Sequence, residues 1–259
     1  MKMLLGHEWV DRDDTIDVRD PFDDSLIDTV PAADHDDVET ALATAAAACS
    51  TARNMTTYER SQVLYRTAAI IADQLEDFAT TIAREGSKTI NEARGEARRC
   101  VNTLTIAAEE AKRLQGETIP FDSFPGGEAR RGYYERVPIG VVLAITPFND
   151  PLNLVAHKLG PAIAGGNTVI LKPATVTPLS GLKLTEAFMQ AGLPSGVLQC
   201  ITGYGAVLGD ALVEDPRVRM VSFTGGVEAG ERIMSRVGLK KIGMELGSNS
   251  PVIVWKDAD

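Results

Sequence analysis

Val141-Val142-Leu143-Ala144-Ile145, followed at once by Thr146-Pro147-Phe148-Asn149-Asp150-Pro151, is the stretch that decides the fold class. Five apolar residues in a row, entered through Pro138-Ile139-Gly140, suit a parallel strand buried on both faces. Strict alternation would instead mark a strand with one wet face. The same unit recurs downstream. Val169-Ile170-Leu171 reads as a strand with a helix near 179–191. Residues 197–201 read as a strand with a helix near 206–213, and 220–223 as a strand with a helix near 227–237. Residues 241–245 are one more short strand candidate. Repeated strand–helix units imply an α/β fold on a doubly wound parallel sheet. Ligands on such sheets bind beyond the carboxyl ends of the strands, which directs attention to loops 146–151, 172–178, 202–205, 224–226 and 245–249.

Upstream the pattern changes. Residues 1–33 are rich in Asp and broken by Pro21 and Pro31, with two short strand-like stretches at 15–18 and 25–30. The acidic run from Asp34 to Asp37 offers caps for a helix running from 38 to 52. Residues 57–84 and 89–115 carry apolar side chains at spacings of three and four and read as two long amphipathic helices. Residues 116–127 form a Pro/Gly-containing break, and 130–137 read as an exposed strand.

Composition excludes several functions. The chain has 259 residues, 44% of them hydrophobic and 24% charged, which is ordinary for a soluble globular protein. Its net charge of −10 repels a phosphate backbone, and 5% aromatics leave little for base stacking, so no nucleic-acid partner is expected. Cys49, Cys100 and Cys200 are too widely spaced for a disulfide framework or a zinc site, and His7, His35 and His157 show no ligand spacing, so no metal is expected. No apolar run has the length of a membrane span, and the start is too short for a signal peptide. The expected compartment is the cytoplasm.

Each strand-end loop admits two readings. Asn149, stiffened between Pro147 and Pro151, can donate its amide to a developing oxyanion or can simply form a turn. Lys172, in Lys172-Pro173-Ala174-Thr175, can reach ribose hydroxyls or a phosphate, or can point to solvent. Gly203-Tyr204-Gly205-Ala206-Val207-Leu208-Gly209 joins a strand to a helix, one residue longer than the usual dinucleotide spacing, and also suits a plain turn. The glycines of Phe223-Thr224-Gly225-Gly226 allow backbone N–H groups to approach a phosphate, or a tight turn. Glu245, in an otherwise apolar stretch, is a general base or a surface edge carboxylate.

The order and spacing of these five motifs resemble the aldehyde dehydrogenase superfamily along essentially the whole chain. The likeness is loose before residue 50, strengthens at Gly86-Ser87-Lys88-Thr89-Ile90-Asn91-Glu92-Ala93, and is specific from Pro138 onward. There it rests on Thr146-Pro147-Phe148-Asn149, Leu171-Lys172-Pro173-Ala174, Ala191-Gly192-Leu193-Pro194-Ser195-Gly196-Val197, Phe223-Thr224-Gly225 and Glu245-Leu246-Gly247. Asn149 with Pro151-Leu152-Asn153 further resembles the lactaldehyde and phosphonoacetaldehyde branches. The resemblance implies a Rossmann-like coenzyme domain over 1–117 and 138–249, with long amino-terminal helices. It implies part of a protruding oligomerisation arm over 118–137 and the start of a catalytic domain at 250–259, with Val252-Ile253-Val254 as its first strand.

It also implies oxidation of a small-molecule aldehyde by NAD or NADP through a cysteine thiohemiacetal and thioester. By that likeness Asn149 is the oxyanion donor and Glu245 the base that activates the deacylating water. The coenzyme would lie along Ile145, Thr146, Pro147 and Phe148, with its adenosine ribose at Lys172, Ala174 and Thr175. Gly205, Gly209, Phe223, Thr224, Gly225 and Gly226 would surround the remainder, and Leu246 would sit beside the nicotinamide. Two departures matter. Gly226 stands where a serine is frequent, and Thr175 where NAD-preferring members often have Glu, so a 2′-phosphate is not repelled and NADP is allowed. The family's nucleophile lies a few dozen residues past Glu245-Leu246-Gly247, in a Gly-Gln-x-Cys setting beyond Asp259. Cys49, Cys100 and Cys200 read as structural. The expectation is an inactive, poorly soluble fragment of a homo-oligomeric enzyme, dimer or tetramer. The alternative is a non-catalytic dinucleotide-binding or subunit-interaction module.

Overall fold

The computed structural model describes residues 1–86 and 88–258; Ser87 and Asp259, both quoted above, lie outside them. The chain enters through two hairpins. Strands β1 (Met3–Leu5) and β2 (Glu8–Val10) turn at Gly6, whose φ of +65° suits glycine. Strands β3 (Thr15–Arg19) and β4 (Leu26–Pro31) pair antiparallel. Ile16 and Val18 are buried while Thr15, Asp17 and Arg19 are exposed, the period-two signature of a half-covered strand.

Five helices follow: α1 (His35–Ala47), α2 (Cys49–Asn54), α3 (Thr57–Asp73), α4 (Leu75–Gly86) and α5 (Ile90–Ala111). Asp34, Thr56 and Thr89 start α1, α3 and α5 with capping boxes closed by Asp37, Glu59 and Glu92, so three helix starts are written locally. Two stretches read as single helices are each divided, at Ala48 and at Gln74. The apolar stripe runs through the second break in helical register, at Ile71, Leu75, Phe78, Ala79 and Ile82, so periodicity could not reveal it.

Strands β5 (Glu117–Ile119) and β6 (Gly132–Tyr134) pair only with each other, around a short 3₁₀ turn (Phe121–Ser123). The strand expected over 130–137 is therefore three residues long. Then come β7 (Val141–Ile145), α6 (Asn153–Ala164), β8 (Thr168–Lys172), α7 (Leu179–Gln190), β9 (Leu198–Cys200), α8 (Gly205–Glu214), β10 (Val218–Thr224), α9 (Val227–Arg236) and β11 (Lys241–Glu245).

The main sheet runs β11-β10-β7-β8-β9-β1-β2. The first five strands are parallel, and β1 adds antiparallel at Leu4↔Cys200, an edge the sequence reading did not anticipate. The direction of winding reverses between β7 and β10, which opens a crevice at their carboxyl ends. Helices α6 and α7, backed by α3, α4 and α5, cover one face; α1, α8 and α9 cover the other. Residues 252–254 form no strand: they are exposed and pair with no described strand. Among the described residues no helix is long and apolar enough to cross a membrane, and no cluster of His, Cys, Asp and Glu could hold a metal ion.

Candidate active site

Strand register brings the chemistry to one end of the sheet. Ile145 on β7 pairs with Phe223 on β10, and Thr224 pairs with Glu245 on β11. Asn149, four residues beyond Ile145, and Glu245 therefore stand at the same end, on either side of Thr224. The Gly225 N–H donates to the Glu245 carbonyl at 3.0 Å and ties the two loops together. The Asn149 amide and the Glu245 carboxylate are exposed and make no side-chain hydrogen bond among the described residues, so both are free to meet a ligand.

The Asn149 loop is bolted to α5. Asp150 accepts from Lys88 and from Arg99, the latter at 2.7 Å. Lys88 also donates to Glu96 at 2.6 Å. Glu96, fully buried, accepts from the Leu152 and Asn153 backbone N–H groups at 2.8 and 3.0 Å, satisfying donors that α6 leaves open at its start. Thr103 donates to Asn153 at 2.9 Å. Sequence reasoning missed this cluster, because its members are scattered over more than sixty positions.

It also missed Lys158. This residue is buried on α6 and its ammonium donates to Ser222 at 3.1 Å and Thr224 at 2.9 Å. Burial pushes its pKa down to about 8, partly opposed by the charge of Glu245. The available signal was a lysine in the middle of a helix whose only other polar side chains are Asn153 and His157.

A cavity of about 420 Å³ opens between α8 and α9, and Ile145, Lys172, Gly205, Gly209 and Phe223 line it together. A Cβ added at Gly205, Gly209 or Gly226 would meet nothing within 4 Å, so the protein's own packing does not require glycine there and the space is open to a ligand. Neither α8 nor α9 has a side-chain cap, which leaves their first N–H groups open to an anion. Burial pushes Lys172 down to about 8; its ammonium donates to the Pro173 carbonyl at 3.0 Å and lies 3.4 Å from Thr175 Oγ1. The Thr146 hydroxyl is buried beside these strand ends with no hydrogen-bond partner among the described residues. Together these groups fit a dinucleotide.

Other sequence-predicted residues fall elsewhere. Phe148 and Thr175 line a neighbouring cavity of about 620 Å³ with Tyr204 and Glu85. The Thr175 hydroxyl donates to the Gly203 carbonyl at 3.0 Å. Pro147, Ala174, Thr224 and Gly225 are half-buried on the strand-end loops. Leu246 lies against Gly230 of α9. Cys100 and Cys200 are buried, and burial raises both thiols, Cys200 to about 12. Half-buried Cys49 lies 3.4 Å from Thr168 at the opposite ends of the strands.

A parallel sheet wound in this order, with open glycine positions and uncapped helices at its switch point, is a dinucleotide-binding architecture. The aldehyde dehydrogenase family model matches residues 9–259, and the chain belongs to that family. It is 47% identical over 257 residues to 3-sulfolactaldehyde dehydrogenase of Priestia megaterium, covering 99% of this chain and 54% of that protein. It is 49% identical over 244 residues to aspartate-semialdehyde dehydrogenase 1 of Pseudomonas canavaninivorans, covering 94% of this chain and 52% of that one. Among solved structures, it matches the NADP-dependent glyceraldehyde-3-phosphate dehydrogenase of Bacillus halodurans, complexed with NADP, with a TM-score of 0.94 at 40% identity, over 100% of this chain and 55% of that one. The chain thus spans about half the length of the relatives it matches.

Proposed function

We propose that these residues form the coenzyme-binding half of an aldehyde dehydrogenase that oxidises a small-molecule aldehyde to its acid with NAD or NADP. The observation that carries this reading is the arrival of Asn149 and Glu245 at one end of the sheet, after the two strands that flank β10, where Ile145, Phe223 and Lys172 line a cavity. The coenzyme, when bound, supplies the acceptor for hydride.

The chain's own groups have separable tasks in this reading. Asn149 donates its free amide to the oxygen on which negative charge grows. Glu245, exposed and without a side-chain partner among the described residues, takes a proton from the water that releases the acid. Lys158, with a pKa near 8, holds or yields a proton at Nζ beside Thr224. Lys172 and Thr175 receive the adenosine ribose, and the neutral Thr175 leaves room for a 2′-phosphate. Ile145, Thr146, Pro147, Phe148 and Ala174 line the rest of the path, with Leu246 near the nicotinamide. Gly205, Gly209, Phe223, Thr224, Gly225 and Gly226 let backbone approach the phosphates. The attacking thiolate comes from outside these 259 residues. Residues 1–117 and 138–249 make up the coenzyme domain. Residues 118–137 belong to an arm that joins subunits of a homo-oligomeric enzyme, and 250–259 lead into the catalytic domain. The compartment is the cytoplasm.

The test has two parts. The 259-residue chain should bind NADP and NAD, followed by fluorescence titration, yet produce no NAD(P)H from any of a panel of aldehydes. A longer version carrying the downstream cysteine should turn over. Steady turnover by the 259 residues alone would overturn the assignment of the nucleophile. Coenzyme binding without turnover in the longer version would favour a non-catalytic module.

A further inference from the structure

Two cavities meet at Lys172 and Thr175. Lys172 lines the one between α8 and α9, and Thr175 lines the neighbouring one of about 620 Å³. The Lys172 ammonium lies 3.4 Å from Thr175 Oγ1, so the two side chains stand together at the partition. The second cavity differs from the first in charge. The β3–β4 hairpin lines it with Asp17, Asp20 and Asp24. Arg19 is the one basic residue among its described lining residues, and it is already engaged. It donates to Asp17 at 2.7 Å and lies 3.7 Å from Asp24. Asp20 accepts only from the Phe22 N–H among the described residues, at 3.0 Å, which leaves its charge unopposed. Three aspartates thus border this space with one guanidinium between them. Thr177 lines it too, with a buried hydroxyl that has no hydrogen-bond partner among the described residues, so polar chemistry and not apolar packing alone borders the cavity.

We propose that the aspartates of the β3–β4 hairpin select between the coenzymes: they disfavour the 2′-phosphate, so NAD binds more tightly than NADP although Thr175 leaves space for both. The inference rests on the coenzyme reading given above and adds Asp17, Asp20 and Asp24 to the residues that set its specificity. An adenosine with its base between α8 and α9 and its ribose at Lys172 and Thr175 has its 2′ position at the mouth of the second cavity. A hydroxyl there is neutral. A phosphate monoester carries a charge of about −1.5 to −2 near neutral pH and meets the field of the hairpin. Discrimination by an unfavourable charge needs no contact with the favoured ligand. The hairpin carboxylates are solvent-accessible, so salt screens their repulsion, whereas buried Lys172 is screened much less. The preference for NAD is therefore strongest in dilute buffer.

The experiment measures the ratio of the NADP to the NAD dissociation constant for the 259-residue chain at neutral pH, by fluorescence titration. The ratio is expected to be about ten in dilute buffer and to fall toward about two as KCl approaches roughly 1 M, where the Debye length shrinks to about 3 Å. Asp17→Asn, Asp20→Asn and Asp24→Asn combined should lower the ratio about tenfold in dilute buffer and change NAD affinity less than about twofold. Asparagine suits these positions: residue 24 has a φ of +59°, which Asn tolerates, and Asn at 20 still accepts from the Phe22 N–H. Arg19→Met should move the ratio the other way, upward by about threefold. Asp73→Asn with Glu109→Gln and Glu110→Gln removes the same charge from α3 and α5 and should leave the ratio unchanged. The proposal is overturned if the unaltered chain binds NADP as tightly as NAD in dilute buffer, or if the triple Asn variant keeps the original ratio. It is also overturned if the α3 and α5 variant lowers the ratio equally, which would assign the effect to net charge. A chain that binds neither coenzyme overturns the coenzyme reading itself, and this inference with it.

Discussion

Glu85, near the end of α4, is almost wholly buried and accepts from the Leu179 and Ser180 N–H groups at the start of α7, both at 2.8 Å. Burial pushes its carboxyl up to about 7 against those donors. The folded state therefore keeps the proton to higher pH than the unfolded chain, whose value is 4.5. The resulting stability is complete below the unfolded value and is lost as pH rises through the folded one, a change of about 3 kcal/mol. Glu85→Gln, neutral throughout, should flatten that segment of the profile. Urea unfolding of both proteins between the two values tests it; parallel profiles would show that Glu85 does not titrate there. Lys172 answers to pH at the ligand instead. With a pKa near 8, its ammonium is lost above that pH, so NADP affinity should fall by up to about tenfold per pH unit on the alkaline side. Lys172→Met should weaken binding by about tenfold to a hundredfold below pH 8 and remove the pH dependence. An unchanged dissociation constant would exclude Lys172 from the ribose and phosphate. Residues of this kind were legible only where the chain concentrates them in one loop. Asn149 announces itself between two prolines and Lys172 before one, both at strand ends, whereas Lys158 matters because the fold lays Ser222 and Thr224 beside it.

Among the elements, the strand–helix units downstream of Val141 could be read closely, because continuous apolar runs and glycine-bearing loops are local signals. Strand β11 has the bounds read from the sequence, and α7, α8 and α9 differ from it by a residue or two. What escaped depends on pairing across the chain. Strand β1 exists because Leu4 meets Cys200, and residues 252–254 stay unpaired because nothing described lies beside them. The same distance-blindness hid the clamp between α5 and the Asn149 loop. Glu96 replaces the side-chain cap that α6 lacks, reaching back from another helix to two N–H donors. Glu96→Gln removes the charge from both hydrogen bonds and from the partner of Lys88. It should destabilise the chain by about 2 kcal/mol, the scale of losing charged hydrogen bonds in the interior. The effect should be local first: amide exchange at Leu152 and Asn153 is expected to accelerate by roughly the factor that 2 kcal/mol implies, about thirtyfold, while exchange in β8 stays slow. Uniform acceleration across the sheet would mean that Glu96 supports the fold as a whole and not this loop.

At the scale of the molecule, two tendencies oppose one another. A net charge of −10 keeps copies apart. Against it stand the β5–β6 hairpin, whose outer edges pair with nothing described, and the exposed apolar run Val252, Ile253, Val254 and Trp255. Tyr133 is 72% exposed on that hairpin, and unpaired edges of this kind recruit further strands. Repulsion between exposed charges fades beyond about 8 Å at physiological salt, whereas strand pairing and apolar contact act at closer range and are not screened. Association should therefore win as salt rises. Light scattering of the 259-residue chain is expected to give a mass that climbs with protein concentration and climbs further in concentrated salt. Ile119→Lys with Tyr133→Lys places charge on the hairpin edge and should shift the mass toward the monomer. Val254→Lys should act independently, since the apolar run is separate in sequence. A monomer at every concentration, indifferent to salt and to all three substitutions, would show that these edges are blunted by their own twist and side chains, and would remove the physical reason for assigning 118–137 to subunit contact.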